Sequence, residues 1–81
     1  MKLKKEYAGL YTMSTVIDNE YLVQYKAEYQ DMMRGFSYSI RVNGLIMSQD
    51  GFTGLTLRSL KAGLKNDVMS AVDEYKKEFD N

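Results

Sequence analysis

The sequence predicts an α+β fold: a four-stranded antiparallel sheet made of two hairpins, with one long C-terminal helix packed on one face. Three observations predict it. Apolar and polar residues alternate from Tyr21 to Tyr29 and again from Phe36 to Val42, Asn43-Gly44 follows the second run at once, and from Leu57 onward the apolar spacing changes to threes and fours. The 81 residues leave room for a single domain spanning 1–81. A chain of this size removes only about 60–65% of its unfolded surface from water, so every apolar stripe needs a partner.

The elements follow in chain order. Tyr7 to about Met13 reads as a first strand, and Asp18-Asn19 as a two-residue turn into the second. That loop length sets Leu10 opposite Ala27, Thr12 opposite Tyr25 and Ser14 opposite Val23. The Tyr21 strand turns Tyr21, Val23, Tyr25, Ala27 and Tyr29 to one side, with only Leu22 breaking the alternation. Gln30 to Gly35 connects the hairpins. Phe36, Tyr38, Ile40 and Val42 share a side, and Asn43-Gly44 tolerates the positive φ angles of a type I′ turn, so Leu45 to Gln49 returns with Val42 facing Leu45, Ile40 facing Met47 and Tyr38 facing Gln49.

After Asp50-Gly51, the residues Leu57, Leu60, Leu64, Val68, Ala71, Val72, Tyr75 and Phe79 lay one stripe along a helix of about 20 residues. Thr56 and Ser59 are both candidate caps, and Gly63 is a local weakness of about 1 kcal/mol. Phe52 is expected to anchor the turn before the helix in the core. A seven-residue strand spans about 23 Å and the helix about 30 Å, so Tyr75 and Phe79 are expected to overhang the sheet and meet either its curled edge or a second copy.

Composition narrows the chemistry. Eleven Lys and Arg balance eleven Asp and Glu, which argues against polyanion binding through bulk charge. The chain has no Cys and no His, hence no thiolate nucleophile, no imidazole base and no zinc site built from them. The acidic residues are scattered without calcium-loop spacing, and Gly51-Phe52-Thr53-Gly54 lacks the Gly-Lys-Ser/Thr ending of a phosphate loop. The expectation is therefore a protein that is not an enzyme, with no cofactor and no metal. No apolar run reaches the roughly 20 residues that span a bilayer, and the basic start lacks the apolar stretch of a secretory signal, which together predict a cytoplasmic chain with no membrane partner.

Three features offer binding surfaces. Strand parity places Tyr7, Tyr11, Met13, Leu22 and Ile46 on the sheet face opposite the helix, with Lys26, Arg41, Ser39 and Ser48 among them. The helix is electrically two-sided: Arg58, Lys61, Lys65 and Lys76 follow one flank of its stripe, and Asp67, Glu74 and Glu78 the other. Met32, Met33 and Arg34 sit in the central connection, where thioethers suit an irregular apolar pocket unless one Met folds under the loop.

The stretch from Tyr38 to Phe52, leading into a helix, resembles the strand, turn, strand, Gly-Phe, helix order of the arm-binding domains of tyrosine recombinases, and also the small sheet-plus-helix modules of HicB-type antitoxins. The likeness covers about half the chain, rests on common turn chemistry and assigns no family. The arm-binding resemblance implies DNA contact through the sheet, yet the sheet here lacks a dense basic row.

These features predict a non-catalytic binding or regulatory protein that occludes or bridges a surface on a macromolecular partner, most simply a protein, as small inhibitors of host proteins encoded by phages or mobile elements do. The alternative is a small nucleic-acid-binding module that uses Lys26, Arg41 and exposed tyrosines on the open sheet face. A homodimer through Tyr75 and Phe79, or through that open face, is a further expectation.

Overall fold

The computed structural model describes residues 1–79. It has one antiparallel sheet of five strands in sequential order: β1 (Lys4–Tyr7), β2 (Leu10–Ile17), β3 (Tyr21–Gln30), β4 (Gly35–Val42) and β5 (Leu45–Gly51), followed by α1 (Leu57–Phe79). The α+β class and the single helix are as the periodicities predict. The expected four strands are five, because the first expected strand is interrupted at Ala8-Gly9. Gly9 adopts a φ of 88°, a conformation open to glycine at no steric cost, and the chain folds back so that Lys5 pairs with Tyr11.

The β2–β3 turn forms at Asp18-Asn19, with φ of 56° and 53° and the Glu20 N–H bonded to the Ile17 carbonyl at 3.1 Å. Glu20 is then an extra residue before pairing begins, so Ile17 faces Tyr21 and the whole register is one residue away from the expected one: Tyr11 faces Ala27 and Met13 faces Tyr25. A one-residue slip exchanges the faces of a strand. It sends Tyr11, Met13, Thr15 and Ile17 toward the helix and leaves Leu10, Thr12, Ser14 and Val16 on the other side, which buries the bulkier apolar set.

The second hairpin keeps the expected turn, with Asn43 and Gly44 at φ of 50° and 87°, and Val42 faces Leu45. Beyond Arg41 opposite Ile46 the register shifts, leaving Met47 as a bulge and setting Ile40 opposite Ser48 and Tyr38 opposite Asp50. Ser48 therefore turns to the helix side, not to the open face.

The core lies between the helix and β2, β3 and β4. Met13, Tyr21, Val23, Tyr25, Ala27, Ile40 and Val42 pack against Leu60, Leu64, Val68, Ala71 and Val72. Thr56 is the cap: its Oγ1 accepts the Ser59 N–H at 3.1 Å, and the Ser59 hydroxyl donates to the Thr56 carbonyl at 2.8 Å. Phe52 is 56% exposed, contrary to expectation, and Leu55 packs on the core in its place. The expected overhang of the helix is also absent, because β3 has 10 residues, about 33 Å, against 23 residues and about 35 Å for α1. Tyr75 meets Tyr21 edge-on at 5.8 Å within the same molecule, and Phe79 leans on Tyr75 at 4.7 Å.

Candidate functional site

The helix covers one face of the sheet, and the opposite face carries no covering element among the described residues. The register arranges that free face in rows. Ser14, Gln24, Arg41 and Ile46 form one, Thr12, Lys26, Ser39 and Gln49 the next, and Val16 and Leu22 stand side by side at one end. Val16, Leu22 and Ile46 are each close to half exposed, an aliphatic rim on the face that also carries Arg41 and Gln24. Beside it lies a shallow groove of about 410 Å³ lined by Thr12, Ser14, Gln24, Lys26, Ser39 and Arg41.

Local contacts hold this face in place. The Asn43 side chain accepts the Leu22 N–H at 2.9 Å and donates to the Glu20 carbonyl at 3.5 Å, while the Asn43 N–H bonds the Leu22 carbonyl at 2.8 Å. The β4–β5 turn is thus tied to the start of β3, where Leu22 and Val16 sit. At the other edge the Thr12 hydroxyl donates to the Glu6 carboxylate at 2.6 Å, which steadies the short β1.

The residues expected at an interface divide into five groups. Leu22, Arg41 and Ile46 share the free face as expected, with Lys26 and Ser39. Tyr11 and Met13 do not: Met13 is 8% exposed in the core and Tyr11 packs edge-on against Phe36 at 6.0 Å, a correction that follows from the Glu20 slip. Tyr7 is exposed on the β1 edge, apart from the aliphatic rim. In the central connection Met32 is fully exposed and Arg34 is exposed in a left-handed conformation, whereas Met33 folds over Gly51 and Ser37. Arg58, Lys61 and Lys65 are exposed on the helix, away from this face.

Val16 is the member of the rim that sequence reasoning missed. Its signal was the parity of Leu10–Ile17, in which the odd positions form the more apolar set and so leave Val16 outside.

Tyr11, Tyr21, Tyr25, Tyr29 and Tyr38 all register on the helix side. Tyr25 is 1% exposed and stacks on Tyr38, and its hydroxyl has no hydrogen-bond partner among the described residues. Burial, reinforced by the negative charge of Asp67 and by Tyr38, pushes this hydroxyl well above the ordinary phenol range near 10. No group of three or more acidic, His or Cys side chains able to hold a metal occurs among the described residues. No helix among them is long and apolar enough to cross a membrane. No protein-family model matches the chain, and no curated protein and no solved structure matches it either.

Proposed function

We propose that this chain is a non-catalytic binding protein that occludes or bridges a surface of a protein partner with the uncovered face of its sheet. The observation that supports the reading is that exposed Val16, Leu22 and Ile46 share the uncovered sheet face with Arg41. Aliphatic side chains beside an Arg suit a protein contact, where the guanidinium fixes orientation and the displaced water supplies the driving force. Binding single-stranded nucleic acid would instead draw on aromatic faces for stacking, and the tyrosines of β2, β3 and β4 point the other way.

The test is affinity capture from the native cells with the wild-type chain and with Leu22→Asp and Ile46→Asp. Both positions are exposed, so both variants keep the wild-type far-ultraviolet spectrum. The reading expects each to lose the same protein partner. Unchanged capture by both would overturn it, and salt-sensitive binding to bulk DNA or RNA lost on Arg41→Glu would replace it with the nucleic-acid reading.

A further inference from the structure

The two flanks of α1 carry opposite charge, and the fold delivers them to opposite edges of the sheet. On one side Lys61 and Leu64 stand beside Lys2 and Leu3 around a pocket of about 280 Å³, where the chain leads into β1 with its Lys4 and Lys5. Arg58 and Lys65 continue this flank. On the other side Asp67, Asp73 and Glu74, with Ser70 and Lys77, form a groove of about 400 Å³ against Met47 and Ser48 of β5.

Both edges are unpaired: β1 and β5 are the outer strands of an open sheet. No salt bridge among the described residues involves Lys61, Lys65, Asp73 or Glu74, whereas Lys76 of the same basic flank is engaged by Asp18 at 3.5 Å. The two surfaces complement each other in sign, yet they lie on opposite sides of the sheet and do not meet within one molecule. Each also carries apolar area, Met1 and Leu3 on the basic side and Met47 on the acidic side.

We propose that the basic β1 edge of one copy docks on the acidic β5 groove of a second copy, a head-to-tail contact. The opposite sign of the two edges makes a second copy a complementary occupant, and the chain's zero net charge disfavours a polyanion. Such a contact uses two different patches, so it repeats along a ring or an open filament, unlike a two-fold dimer. It is independent of any partner on the free sheet face.

Sedimentation of the pure chain over a range of concentrations tests it. The expected result is self-association at low salt that weakens by at least about tenfold at about 1 M salt, where charges are screened beyond about 3 Å. The paired substitutions Lys61→Glu with Lys65→Glu, and Asp73→Lys with Glu74→Lys, fall on exposed positions and reverse the helix charge at one edge in each variant. Each alone should sediment as a monomer, and an equal mixture should regain the assembled mass, a rescue that misfolded variants would not show. A wild-type chain that stays monomeric at every concentration at low salt would overturn the proposal. So would assembly that both charge reversals leave intact.

Discussion

Tyr25 stacks parallel to Tyr38, ring centroids 5.7 Å apart and planes within 5°, and Tyr25 is buried in the core with its hydroxyl unpartnered among the described residues. A buried hydroxyl without a hydrogen bond carries its desolvation cost uncompensated, about 1–3 kcal/mol. Tyr25→Phe is therefore expected to raise the unfolding free energy by about 1 kcal/mol, read from the urea midpoint at neutral pH.

The same residue sets an alkaline limit. The folded state favours the neutral phenol, so its hydroxyl titrates above the unfolded value near 10. The stability linked to that proton is complete below about pH 10 and is lost as pH rises beyond it. Urea unfolding between neutral pH and pH 11 should show the wild type weakening at the top of the range more steeply than Tyr25→Phe. Parallel curves would mean that Tyr25 ionises freely in the fold.

The β2 register makes opposite predictions for two neighbouring positions. Met13→Asp places a carboxylate among Tyr25 and the helix stripe and should cost about 3–5 kcal/mol, enough to unfold a small domain. Val16→Asp, on the free face, should change stability by no more than about 0.5 kcal/mol. Thermal melts of the two variants decide between this register and the one set by a two-residue loop, which would reverse them.

Two glycines also separate cleanly. A Cβ on Gly35 would meet the Phe52 carbonyl oxygen at 2.5 Å and the Leu55 and Gly54 nitrogens at 2.8 and 2.9 Å, all of them backbone atoms. The same turn bonds the Phe36 N–H through the Leu55 carbonyl at 2.9 Å and cannot withdraw without breaking that bond. Gly35→Ala is expected to cost about 1–3 kcal/mol. At Gly63 the nearest atom is the Asp67 carboxylate at 3.2 Å, the movable end of a side chain, so Gly63→Ala should stabilise the helix by up to about 1 kcal/mol. Denaturant midpoints of the two variants should move in opposite directions.

Thr56→Ala removes the acceptor of the Ser59 N–H and should lower stability by about 1 kcal/mol, while Ser59→Ala, which leaves that acceptor in place, should lower it by less. Chemical denaturation of both variants tests which residue caps the helix.

The alternating strands Tyr21–Gln30 and Gly35–Val42, the Asn43-Gly44 reversal and the helix from Leu57 to Phe79 were legible before any coordinates, because each is written in local periodicity or turn chemistry. The sequence also placed Leu22, Arg41 and Ile46 together, since β3 and β4 each bury an unbroken apolar side and leave the other side in common. What the tertiary structure alone decided turns on single residues: Glu20 inserted after a correctly placed turn, Met47 bulged from β5, and the Ala8-Gly9 reversal that makes the fifth strand. Local pattern is nearly indifferent to a one-residue shift, whereas the whole apolar face of a strand moves with it. Only burial of Tyr11 and Met13 beside Tyr25 and Phe36 chose between the two registers, and with them which side chains remain free to meet a partner.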